Sequence, residues 1–153
     1  MTERKSLVVG LTGQTGAGKT TVSEAFEKHG YAVINADQLA RTVTSEPEVL
    51  SRLSELFGEE ILLPDGNLDR KALGARVFSD PAELQKLDGT LYPIIVSRIE
   101  GEIQKLTESG LRYILLDAPT LFESGADKLC DKTVAVLAEE DLRRERIIKR
   151  DKL

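Results

Sequence analysis

The sequence holds a single cysteine, Cys130, and a single histidine, His29. One cysteine cannot close an intrachain disulfide, and no Cys/His spacing of the zinc-binding kind occurs, so the chain reads as one suited to a reducing compartment. His29 stands just before Gly30 at the end of a helical pattern, where a capping or dipole role outweighs catalysis. No apolar stretch approaches the ~20 residues of a membrane-spanning helix, and the first residues carry no signal-peptide pattern. The expectation is a cytoplasmic protein with no membrane partner. A formal net charge of −5, with both signs interspersed, argues against nonspecific nucleic-acid binding, which relies on lysine and arginine clustered on one face. Repeats of 20–50 residues and low-complexity tracts are also missing.

What is present begins with Gly13-Gln14-Thr15-Gly16-Ala17-Gly18-Lys19-Thr20, which matches the phosphate-binding loop pattern G-x-x-x-x-G-K-[ST]. The apolar run 6–11 reads as a buried parallel strand before it, and residues 20–28 carry helical spacing at Val22, Ala25 and Phe26 after it. Glycines let such a loop curl round a phosphate with its N–H groups inward, and the following helix N-terminus adds a favourable dipole. Lys19 would reach the β- and γ-phosphates of ATP, and the Thr20 hydroxyl would serve Mg²⁺, a hard ion that seeks oxygen. The competing reading is a ligand-free glycine-rich turn.

With 153 residues the chain is expected to form a single domain. Three further apolar runs, 31–34, 113–116 and 133–137, bring the expected strands to four, separated by helical segments rather than hairpins. That pattern gives an α/β fold, a parallel sheet covered on both faces. The stretch 36–112 is too long for a simple crossover and reads as a helical insert for substrate binding. Within it, 47–57 is a helix stopped by Gly58, Pro64-Asp65-Gly66 is a turn, Asp80-Pro81 starts a helix, and Pro93 begins a long amphipathic one ending near Gly110.

Asp37 and Asp117 each follow an expected strand, which puts them at the loop end of the sheet, where ligands of such folds bind. Phosphoryl transfer needs an oriented acceptor oxygen and charge neutralisation more than strong proton abstraction. Asp37 would orient an acceptor hydroxyl and take its proton late, and Asp117 would act on the metal side through water. A helix cap or a strand-end ion pair is the alternative for each. Arg146 and Arg150, four apart on one helix face, could offer two guanidinium forks to phosphate oxygens, or simply form a solvated basic face.

Together these residues resemble the dephospho-coenzyme A kinase family. The resemblance runs from Leu11 to Thr21 through Val33-Ile34-Asn35-Ala36-Asp37 with Arg41, and then Asp65-Gly66-Asn67-Leu68-Asp69-Arg70 with Leu73 and Val77-Phe78. It continues in Leu91-Tyr92-Pro93, Pro119-Thr120-Leu121-Phe122-Glu123, and Arg146 with Arg150-Asp151. It implies a three-layer P-loop nucleoside-triphosphate hydrolase-like sheet with an acceptor-binding insert at 36–112 and a helical lid starting at 140–153. The implied reaction moves the ATP γ-phosphate to the ribose 3′-hydroxyl of dephospho-coenzyme A.

The resemblance makes Asp37, Lys19 and Arg150 the catalytic set. Gly13, Gly16, Ala17, Gly18, Lys19, Thr20, Thr21 and Arg146 fall on the nucleotide; Asp37, Arg41, Leu121, Phe122 and Glu123 fall on the acceptor; and Thr20 and Asp117 fall on Mg²⁺. Tyr92 stands where the family usually has histidine, and Asn35 where an acid is common. Family domains continue past the position of Leu153, so a longer C-terminal part is expected. Other small-molecule or nucleoside monophosphate kinases, and a nucleotide-binding fragment without catalysis, are the alternatives. A switch GTPase is not, because Asn-Lys-x-Asp and Asp-x-x-Gly are both missing.

Overall fold

A computed structural model describes residues 6–13 and 18–136. The chain divides into two compact units, one formed by 1–36 with 99–153 and the other by 37–98. The first contains strands β1 (Leu7–Gly13), β2 (Ala32–Asn35), β3 (Tyr113–Asp117) and β4 (Lys132–Val136), and helix α1 (Lys19–Lys28). They form one four-stranded sheet in the order β2-β3-β1-β4, with every pairing parallel. The α/β expectation therefore holds. The fourth expected strand is seen as far as Val136, and Leu137 lies outside the described residues.

Alternation along β1 shows why both faces are apolar. Val9 and Leu11 point with Leu115 into a cluster that takes in Val22 and Phe26 of α1, as well as Val33, Val134 and Val136. On the opposite face, Gly10 lies under Leu121 and Cys130: a β-carbon there would sit 2.7 Å from Cys130 Sγ and 2.8 Å from Leu121 Cδ2. A strand enclosed on both sides has no polar face to show, which explains its unbroken apolar run. The two outer neighbours of β1 are fixed in register, Leu11 facing both Asp117 and Val134. Around the entry to β1, Ser6 Oγ donates to Leu111 O at 2.6 Å, and the Val8 amide donates to Asp131 Oδ2 at 2.8 Å.

β1 runs two residues further than its apolar stretch suggests, because Thr12 and Gly13 pair with Ala135 and Val136. Glycine is required there by closeness: a β-carbon on Gly13 would lie 2.4 Å from the carbonyl oxygen of Val136. His29 ends α1 as expected, its Nδ1 donating to Ala25 O at 2.8 Å.

The second unit is helical, with α2 (Ala36–Val43) beginning at its boundary, then α3 (Pro47–Phe57), α4 (Arg70–Phe78) and the greater part of α5 (Pro81–Glu108). Its core joins Val43, Val49, Leu53, Phe57, Ile61, Leu73 and Val77. Gly58 closes α3 with φ of 92°, a left-handed conformation that favours glycine. Asp69 caps α4 through the amide of Ala72, and Arg70 reaches back to Thr44 Oγ1 at 3.0 Å, tying α4 to the end of α2. Arg98 and Glu46 form an ion pair on the surface.

One expectation is corrected. Pro93 does not begin a helix but lies inside α5, which runs unbroken from Pro81. Proline removes one backbone donor from a helix interior and crowds the preceding turn. Here Leu87, Leu91, Ile94 and Ile95, two on each side of the proline, all pack on the same core. Apolar packing on both flanks holds the helix through the defect. Among the described residues no helix is long and apolar enough to cross a membrane.

The close approach at Gly13 yields a prediction. Gly13→Ala drives a methyl group against backbone rather than a movable side chain, and should destabilise the protein by about 1–3 kcal/mol. Urea denaturation of the two proteins measures it, and equal midpoints would show that β1 and β4 are free to part.

Candidate nucleotide site

The carboxyl ends of the strands are where unlike chemistries meet. β1 delivers Gly13, and after the loop, of which residues 14–17 are outside the description, the chain re-enters at Gly18 and turns into α1. Gly18 caps that helix with φ of 94°, a left-handed conformation that admits glycine most easily. Lys19 is the first helical residue. On the neighbouring strand, Asp117 is the last residue of β3, with Leu11 of β1 on one side of it and Asn35 of β2 on the other.

These positions bring two opposite charges together. Lys19 Nζ lies 2.7 Å from Asp117 Oδ1, with the side chains only 16% and 12% exposed. The contact is short but poorly aligned, since the buried Oδ1 has no hydrogen-bond partner among the described residues. Ion pairing, rather than directed hydrogen bonding, compensates that oxygen. Nearby, Thr12 Oγ1 donates to Pro119 O at 3.1 Å, and the Ala118 amide donates to Leu11 O at 2.9 Å, fixing the chain as it leaves β3.

A buried carboxylate oxygen without a hydrogen bond suits a hard cation, as does the hydroxyl of exposed Thr20 in the same helical turn as Lys19. Mg²⁺ fits this donor set. No group of three or more His, Cys, Asp or Glu able to hold a metal occurs among the described residues, so the remaining oxygens would have to come from phosphate and water.

The other candidates are distributed as follows. Gly13, Gly18, Lys19 and Asp117 lie at the carboxyl edge of the sheet, with Thr20 and Thr21 exposed on the first turn of α1. Asp37 is exposed in the first turn of α2, two residues after Asn35, and Arg41 is in the last turn of the same helix. Leu121 is fully buried against the β1 face, whereas Phe122 is 52% exposed and Glu123 is exposed. Gly16, Ala17, Arg146 and Arg150 fall outside the described residues.

Sequence reasoning placed Lys19 and Asp117 in separate roles; a strand-end ion pair was the alternative for Asp117, but Lys19 was not foreseen as its partner. It also passed over Thr12, although a hydroxyl inside the loop motif's leading strand was a signal. Burial first, then the charges of Asp127 and Asp131, push the thiol of Cys130, beneath β1, up to about 11, which disfavours its thiolate.

Residues 7–153 match the family model described as dephospho-CoA kinase. The chain belongs to the dephospho-CoA kinase family. Among its curated relatives, the dephospho-CoA kinase of Fusobacterium nucleatum is 37% identical over 147 residues, covering 96% of this chain and 75% of the relative. That of Deinococcus radiodurans is 41% identical over 142 residues, covering 93% and 68%. A crystal structure from Thermus thermophilus superposes with a TM-score of 0.74 at 32% identity, covering 97% of this chain and 74% of that one. The dephospho-CoA kinase structure from Campylobacter jejuni, at 24% identity and a TM-score of 0.68, shares the fold over 97% of this chain and 74% of its own. The family's P-loop fold is the one described above.

The ion pair makes a stability prediction. Lys19→Met leaves a carboxylate mostly buried and unpaired, and should cost about 2 kcal/mol, below the ~3–5 of a fully enclosed pair because both side chains keep some contact with solvent. The Lys19→Met/Asp117→Asn double variant should recover most of it. Denaturation midpoints report the comparison, and a double variant no more stable than the single one would show that the lone carboxylate carries no penalty.

Proposed function

We propose that this protein transfers the γ-phosphate of ATP to the ribose 3′-hydroxyl of dephospho-coenzyme A, giving coenzyme A and ADP. The observation that carries the reading is the Lys19–Asp117 pair at the carboxyl edge of the sheet, in a chain that belongs to the dephospho-CoA kinase family. A transferable phosphate needs a cation beside it and a hard-oxygen position for its metal, and these two side chains supply one each. Mg²⁺, when bound, would neutralise charge on the phosphates, with Thr20 and Asp117 on its protein side.

The chain's own residues take the remaining tasks. Backbone amides from Gly13 and Gly16 through Thr21 would cradle the phosphates, and Lys19 would hold the β- and γ-oxygens. Asp37 would align the 3′-hydroxyl and accept its proton as the new bond to phosphorus forms. Arg146 and Arg150 would form part of a lid that screens charge on the transferred group, beginning in 140–153. Arg41, Leu121, Phe122 and Glu123 would contact the acceptor, with the helices of 36–112 as its binding insert in a single kinase domain. The reaction consumes soluble metabolites, and we place it in the cytoplasm; a net charge of −5 gives no basis for a nucleic-acid partner.

Asp37 provides the test. With ATP, Mg²⁺ and dephospho-coenzyme A, the protein should form ADP and coenzyme A in equal amounts. Asp37→Asn should lower kcat about 100-fold or more while ATP affinity stays within about twofold. Full turnover by the variant would remove Asp37 from the mechanism, and no coenzyme A from the parent protein would end the assignment.

A further inference from the structure

Lys19 has two claims on it. Nucleotide binding asks its ammonium to reach phosphate oxygens, yet it sits 2.7 Å from Asp117 Oδ1 in a site that is mostly closed to water. That oxygen has no hydrogen-bond partner among the described residues, so the ammonium is what compensates it. Moving Lys19 toward a phosphate would strip the carboxylate of its counter-charge while bringing further negative charge toward it. Both changes are unfavourable where solvent screening is weak. A divalent cation at Asp117 removes the conflict by replacing the ammonium there.

We propose that the Lys19–Asp117 ion pair is a latch that couples metal to nucleotide: Asp117 withholds Lys19 from the phosphates until a divalent cation takes its place. This rests on the kinase reading and deepens it. The coupling is a property of these two side chains, beyond any affinity of the cation for the phosphates themselves, and it makes metal-free nucleotide a poor ligand. By linkage the same pair makes the cation bind better when phosphate is present.

The test is a calorimetric titration of ADP, in EDTA and in Mg²⁺, into the parent protein, Asp117→Asn, Lys19→Met and the double variant. ADP avoids turnover, so binding alone is read. In EDTA, Asp117→Asn should raise ADP affinity about tenfold when Lys19 is present, and by no more than about twofold when methionine replaces it. The Mg²⁺-dependent gain should shrink in Asp117→Asn. Equal gains in both backgrounds would mean that the carboxylate merely repels phosphate, and would overturn the latch; so would no gain at all.

Because Lys19→Met leaves a buried charge, a second measurement uses the intact lysine. The ¹⁵N signal of the Lys19 ammonium should respond to ADP in EDTA only in Asp117→Asn, and a response in the parent protein under those conditions would overturn the latch. Normal Mg²⁺–ADP binding with equal gains would overturn the latch alone. Failure of the parent protein to bind nucleotide under any condition would overturn the kinase reading with it.

Discussion

The parallel register of β1 between β3 and β4 is the constraint on which the site depends. It sets Leu11 opposite both Asp117 and Val134, and thereby puts the end of β3 beside the loop that leads into α1. Lys19 and Asp117 are far apart in sequence and meet only because that register holds. A slip of one residue would turn every side chain of β1 to the other face, exchanging Val9 and Leu11 for Val8 and Gly10 under α1. Packing opposes this from both sides: Gly10 leaves room for Leu121 and Cys130, and Gly13 leaves room for the Val136 carbonyl. The glycines of this strand are therefore structural before they are functional.

The energetic character of the site follows. An apolar sheet on both faces lowers the local dielectric, which strengthens the Lys19–Asp117 attraction and also raises the cost of leaving either partner alone. A pair of this kind is weak evidence for stability, because a hydrophobic pair would be simpler to bury. The same enclosure pushes the Cys130 thiol beneath β1 up to about 11. The helical unit solves a different problem. Its core is built from side chains of α2, α3, α4 and α5; Arg70 ties α4 to the Thr44 hydroxyl, and Arg76 donates to the Phe57 carbonyl, a helix-end acceptor that would otherwise lack a donor.

Much of this was legible in the sequence because parallel strands leave short apolar runs; all four were seen, although only β1 and β3 are largely buried. The helix 47–57 was bounded correctly by a proline at its start and a glycine after its end, residues with direct backbone consequences. Pro93 misled for the same reason: a local rule marked a helix start, while the packing of Leu87, Leu91, Ile94 and Ile95 that overrides it is tertiary. The end of β1 was hidden because Thr12 and Gly13 belong both to a strand and to a loop motif, and only their pairing with β4 decides it. For the site, the motif pointed to Lys19 and strand position pointed to Asp117, but their contact depends on a register that spacing does not encode. Asp37 and Arg41 were named as candidates with their helix unrecognised, since α2 follows β2 without an intervening turn.

The most direct measurement offers ATP labelled in its γ-phosphate, with Mg²⁺, to the protein in an equimolar mixture of dephospho-coenzyme A, AMP and adenosine, and locates the label in the products. The account predicts label on the ribose 3′-oxygen of coenzyme A, with little in the other acceptors or in inorganic phosphate. Label carried chiefly by an AMP-derived product, or released as inorganic phosphate with dephospho-coenzyme A unchanged, would contradict it.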